Sequence, residues 1–257
     1  MQDMKSILGI IFVLLATLQS TDSTTIRESN SFPKKVSIVF RCTVQGKPLQ
    51  FDHTYENSFG EDYTVLAFRF YISHLAWTGS KGKEYIRMPE KYRLFDAGDS
   101  TTNFIEAYWP GDTATGLDFQ LGVDSIDNVS GAQAGALDPA KGMFWTWNTG
   151  YVMAKLEGQS SFSRVPTGAY SYHIGGFSGA NNTIKKIGLS FTVEQQAILV
   201  KSSSAELIIE AEVSRWFDSI HRLKIAEQSF IHGPGTWAKL YSDNYATMFK
   251  VAAVRAR

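Results

Sequence analysis

Residues 135–158 read GALDPAKGMFWTWNTGYVMAKLEG. Leu137-Asp138-Pro139 and Lys141-Gly142 carry turn chemistry, and Thr149-Gly150 marks a second break. Between the breaks, Met143, Trp145 and Trp147 alternate with Phe144, Thr146 and Asn148. In a strand those two sets face opposite sides, so Trp145 and Trp147 are expected on one face, a strand repeat apart. Two tryptophans on a strand face are first of all core, because each buries a large apolar area. Tyr151 to Leu156 then reads as the next strand. A turn, a strand, a turn and a strand make this a β chain.

Working outward, the same signals recur. Val36 to Val44 is rich in β-branched residues and reads as the first strand. Leu49 to Tyr55 reads as a short strand carrying His53. Tyr63 to Trp77 reads as a long one carrying His74. On it Leu66, Phe68, Phe70, Ile72 and His74 share the more apolar face, so His74 is expected to point inward. Further strands are expected over 85–95 (broken at Pro89), 104–108, 116–124, 170–176, 185–193 and 206–213. Trp237, Leu240, Tyr241, Tyr245, Met248 and Phe249 suit a short helix over 236–251. Many short strands separated by Gly, Asp, Asn and Pro turns imply an all-β fold, an antiparallel β-sandwich with short helical segments in loops and at the C-terminus. No internal repeat or linker interrupts it, so residues 35–257 are expected to form one domain.

The first residues read as a targeting signal. Lys5 precedes a run from Ile7 to Leu18 that is apolar apart from Gly9 and Thr17, and small polar residues follow from Gln19 to Thr25. The run is short for a membrane span. A signal peptide over about residues 1–22 is expected, with export to the periplasm or beyond and no membrane span in the mature protein.

Composition excludes several classes. Of 257 residues, 44% are hydrophobic and 19% charged, which is enough apolar material for a core. Lys plus Arg and Asp plus Glu both count 25, so no electrostatic case arises for nucleic acid or an anionic membrane. Cys42 is the only cysteine, which excludes an internal disulfide. It reads as a small buried residue on a strand. No nucleophile elbow, phosphate loop or dinucleotide fingerprint occurs, and no enzymatic activity is expected. Asp124, Asp127 and Asn128 lack the spacing of a calcium loop and read as turn carboxylates.

The five histidines are His53, His74, His173, His221 and His232. No HxH or HxxxH pattern places two of them together locally, so any metal site must be assembled across strands. An isolated strand histidine is more often a hydrogen-bonded structural residue than a ligand.

The central stretch is similar to the MbnP-like copper-binding protein family, whose relatives include the secreted proteins MopE and CorA of methane-oxidising bacteria. Gly122-Val123-Asp124, Asn128, residues 135–139, residues 142–148, Gly150-Tyr151 and residues 155–158 carry the likeness, with Phe70-Tyr71-Ile72-Ser73 and Tyr172-His173-Ile174-Gly175-Gly176 farther out. The resemblance implies a β-sandwich that binds one copper ion for capture or handling. In that family two imidazoles and a tryptophan oxidised to kynurenine form the site, and a di-haem peroxidase partner related to MauG is linked to the oxidation. Carried over, this makes His53, His74 and His173 the candidate ligands, with Trp145 the candidate for oxidation and Trp147 second. His221 and His232 fall at or beyond the edge of the likeness and are left out. A different reading also stands: a metal-free exported sandwich that binds a carbohydrate or protein through Tyr108-Trp109-Pro110 and Trp216.

Overall fold

The computed structural model describes residues 34–111, 114–146 and 150–257. The expected signal peptide, and Trp147 with its place beside Trp145, lie outside the described residues. Two sheets form the body. The smaller has five strands in the order Phe249–Ala256, Ser204–Glu212, Lys35–Val44, Lys47–Pro48, with Phe104–Tyr108 also pairing Lys35–Val44. The larger has nine. Its main path runs Lys185–Ser190, Ala114–Leu121, Ala67–Gly79, Gly150–Gln159, Ala169–Gly175, Phe230–His232. Three short strands join this path: Gly82–Tyr85 and Tyr92–Asp96 on Ala67–Gly79, and Phe144–Trp145 on Gly150–Gln159.

The main core lies between the sheets. Val36, Ile38 and Phe40 from the smaller sheet meet Phe68, Phe70, Ile72, Phe119 and Leu156 from the larger. Phe40 sits edge-on to Phe70, Phe95, Phe119 and Phe249, the geometry that aromatic quadrupoles favour. These side chains come from alternate strand positions, as the pleat requires.

Both sheets are mixed, where the turn pattern alone predicts antiparallel ones. Lys35–Val44 runs parallel to Ser204–Glu212, and Ala169–Gly175 runs parallel to Phe230–His232. Parallel pairing needs a long connection, and in both cases the chain supplies one. The helix Val193–Lys201, unexpected from sequence, precedes the first return and is closed by a Thr192–Gln195 capping box. The expected C-terminal helix spans Thr236–Tyr245 only. Phe249, assigned above to its apolar stripe, instead starts the edge strand Phe249–Ala256.

Two other differences bear on the site. The strand expected over 49–55 is replaced by a turn with Asp52 at φ 59°, and His53 sits exposed in it. On Ala67–Gly79 the pairing with Ala114–Leu121 slips by one residue between Ser73 and Ala76. His74 occupies that bulge with φ 51°. A left-handed residue at a bulge breaks the alternation, so Ile72 and Leu75 both face the core while His74 turns outward. The period-2 reading placed it inward because it contained no extra residue. Among the described residues no helix is long and apolar enough to cross a membrane.

Candidate functional site

The outer face of the larger sheet carries a second, smaller core. Tyr71, Tyr92 and Leu94 on strands are covered by Val123, Ala136, Leu137, Met143 and Trp145 from the excursion that follows Ala114–Leu121. Polar side chains fasten this cover. Asn128 donates to the Val123 carbonyl (2.7 Å) and accepts from the Tyr151 amide (2.9 Å). The Tyr151 hydroxyl donates to the Leu137 carbonyl, and the Tyr71 hydroxyl donates to that of Ala136. Trp145 is buried there, at 6% exposure. Its six-membered ring lies against Gly175, where an added Cβ would come within 2.5 Å of two ring carbons. Only a glycine permits that approach.

Two residues along the same strand, on the same outer face, stands His173. Three adjacent strands put their residues in register here: Lys155 beside His173 beside His232, and Glu157 beside Ser171 beside Phe230. The two imidazole rings stack with centroids 3.8 Å apart and planes 8° apart. Phe230 also lies against His232, with centroids 3.8 Å apart and planes tilted by 32°. His173 Nε2 lies 2.6 Å from Glu157 Oε1, Ser171 Oγ lies 2.7 Å from His232 Nε2 and 3.2 Å from His173 Nε2, and Lys155 Nζ lies 3.5 Å from Glu157 Oε1.

Electrostatics assign the protons. Burial pushes His232 down to about 4, with the neighbouring His173 and Lys155 adding, against the pull of Glu157. The ring is therefore neutral at pH 7. The hydrogen bond from His173 holds Glu157 down at about 2 against the raising effect of burial, with Lys155 adding. A consistent set has His173 Nε2–H donating to anionic Glu157 and the Ser171 hydroxyl donating to His232 Nε2. This is not a hydrolytic triad. There the carboxylate and the nucleophile bond to opposite nitrogens of one imidazole, whereas here Glu157 and Ser171 both approach Nε2 of His173. What the arrangement offers is two nitrogen donors and one carboxylate turned toward a single hydroxyl.

The remaining candidates lie elsewhere. His53 rests its ring on Tyr55 at 4.7 Å. His74, 44% exposed in its side chain, is held by Asp124 at 2.9 Å. Asp124 also accepts from Gln120 (2.7 Å) and pairs with Lys91 (2.9 Å). Burial alone would raise Asp124, but these hydrogen bonds outweigh it and hold the carboxyl far below its usual range. Asp124 thus precedes the helix Ser125–Val129 without a side-chain cap bond to it. Sequence spacing gives no warning of the His173–His232 pair, because the residues are 59 positions apart and meet only through a parallel strand pairing. Among the described residues no group of three or more His, Cys, Asp or Glu side chains stands ready to hold a metal ion. Two of the three aromatics expected to form an exposed platform are buried, Trp109 at 5% and Trp216 at 0%, while Tyr108 is 62% exposed.

A sequence model of the MbnP family matches residues 33–236. MbnP from Methylosinus trichosporium is similar in fold, with a TM-score of 0.54 and 17% identity over 79% of this chain and 81% of that one. No curated protein matches.

Proposed function

The chain belongs to the MbnP family, and from that premise we propose that it is an exported, periplasmic copper-binding protein with no enzymatic activity of its own, taking copper at His173 and His232. The observation that carries this reading is the pair itself: two half-buried imidazoles with both Nε2 atoms turned to one point, one of them neutral well below pH 7. Imidazole suits copper in either oxidation state. The donor set fits the ion with two adjustments, the first being that His173 carries its proton on Nδ1 rather than giving it from Nε2 to Glu157. The Ser171 hydroxyl fills the point that both nitrogens face, so Ser171 or one ring must rotate to admit a cation. Glu157, released from the His173 proton, is placed to join as a third donor, and Lys155 offsets its charge.

Trp145 lies over Gly175, the next outward position from His173, about 7 Å along the strand. That is where a kynurenine formed from it would add to the site, and an external oxidant such as the di-haem peroxidase implied by the family likeness would have to form it. In this reading His232 takes the place that His53 or His74 held in the sequence-based set.

The test is a Cu(I) competition titration against a chromophoric chelator. Wild type should take one equivalent, and His173→Ala and His232→Ala should each lose at least about tenfold in affinity, the cost of one good ligand or its orienting partner. His53→Ala should not change it. Full copper uptake by both the His173 and His232 variants would reject the site. Peptide mapping over 142–155 on protein from its native host reads the Trp145 oxidation separately.

A further inference from the structure

Two strands that leave an open edge lie near each other in the sandwich. Tyr92–Asp96 pairs with Ala67–Gly79 in the larger sheet, and Phe104–Tyr108 pairs with Lys35–Val44 in the smaller. A cleft of about 610 Å³ opens along these two edges, with Ala136 and Lys141 also in its lining. Its volume falls in the range of small-molecule sites.

The lining has two characters. Met88, Leu94, Ile105 and Ala136 supply an apolar floor. Arg87, Arg93 and Lys141 supply three positive charges, and none of them forms an ion pair among the described residues. Arg93 is already oriented, since its guanidinium donates to the carbonyls of Thr101 (2.7 Å) and Thr102 (3.3 Å). Two carboxylates also face the cleft, and both are engaged. Glu90 accepts from the Ala136 amide at 2.8 Å, and Glu106 pairs with Lys35 at 3.0 Å. Asp99 stands outside the lining, close enough to Arg93 and Lys141 to feel their charge. A cleft of about 650 Å³ on the other side of Phe104 makes the contrast. Its arginines, Arg41 and Arg257, are both paired with Glu206.

We propose that the cleft between the Tyr92–Asp96 and Phe104–Tyr108 edges binds a small organic anion, a carboxylate with an apolar body. The carboxylate would meet Arg87, Arg93 and Lys141, and the body would cover Leu94 and Ile105. Cations above an apolar floor select for charge sign and for apolar length together.

Octanoate is the probe, with octylamine as its charge-reversed counterpart, and the backbone amide signals of Ile105 and Ala136 in the full chain are the readout. Octanoate should shift both amides saturably, with a dissociation constant of about a millimolar, as expected for a fragment of that size. Octylamine should not. In Arg87→Glu/Lys141→Glu, whose side chains are exposed and unpaired, octanoate affinity should fall at least tenfold. Equal shifts with both probes, an unchanged affinity in the double variant, or no saturation at tens of millimolar would overturn the proposal. So would an acidic alternating peptide that moves the amides of Phe104–Tyr108 while octanoate moves none, because the edge strands would then serve a β-strand partner.

Discussion

Acidification should destabilise this protein through one ring. His232 titrates at about 4 in the fold against an ordinary value of 6.5. Between those values the unfolded chain holds a proton that the folded chain refuses, so stability is lost as pH falls from 6.5 to 4. The full shift corresponds to ~3.4 kcal/mol. The ring is half-buried, and solvent screening reduces this to about 1.5 kcal/mol. Glu157 acts in the same direction but in a lower window. Its value of about 2 lies below the ordinary 4.5, so its contribution stands above pH 4.5 and is lost as pH falls through 2. The comparison variant is His232→Phe, which keeps an aromatic ring against His173 and Phe230. Urea unfolding of both proteins at pH 7, 5.5 and 4 isolates the titration. The stability difference between them should change by about 1.5 kcal/mol, roughly 0.5–1 M in midpoint. The His232 imidazole resonance, followed by NMR, should titrate near 4. A midpoint near 6.5, or a stability difference flat across that range, refutes the proton assignment and with it the neutral donor at the proposed copper site.

Two further perturbations address the surroundings of the site. Gly175→Ala places a methyl within 2.5 Å of the Trp145 ring and 2.9 Å of the Tyr151 carbonyl, so it should cost about 1–3 kcal/mol; an unchanged thermal melt would show that Trp145 does not lie on that strand. At the bulge, His74→Val puts a β-branched residue at φ 51° and should destabilise by more than about 2 kcal/mol. His74→Gly relieves the backbone while losing the Asp124 bond and should be closer to neutral, so equal melts of the two variants would contradict the left-handed conformation.

Much of the sandwich can be read in the chain because most of its strands are half-buried and alternate. Phe104–Tyr108 and Lys185–Ser190 sit close to where that pattern puts them. The pattern fails where local sequence does not decide the outcome. The parallel pairings depend on which distant strand docks, and nothing in residues 35–44 names Ser204–Glu212 as the partner. His74 has an inward phase in the sequence and an outward position in the fold, because one extra residue at a bulge shifts every later side chain. The site shows the same division. His173 and Trp145 were recognisable as candidates from the motifs around them. His232 was not, since only the pairing of Phe230–His232 with Ala169–Gly175 brings it over His173.

The most recognisable stretch of the chain also has a physical role apart from metal. Residues 122–146 cover the outer face of the larger sheet, and Gly150–Gln159 lies in that sheet on the far side of Ala67–Gly79 from Ala114–Leu121. Asn128, Ala136, Leu137, Met143 and Tyr151 bury themselves or bond to one another in that cover. Asn128 and Tyr151 satisfy buried backbone groups of this irregular segment, and Ala136, Leu137 and Met143 fill the small core beneath it. His173 and His232, by contrast, are partly buried on the outer face of the sheet and belong to neither hydrophobic core. A motif of this kind therefore specifies the scaffold strongly and the ligands weakly. A chain can keep the whole cover and still carry its histidines on different strands, so the ligand set proposed above rests on the register of Gly150–Gln159, Ala169–Gly175 and Phe230–His232 and not on the order of histidines along the sequence.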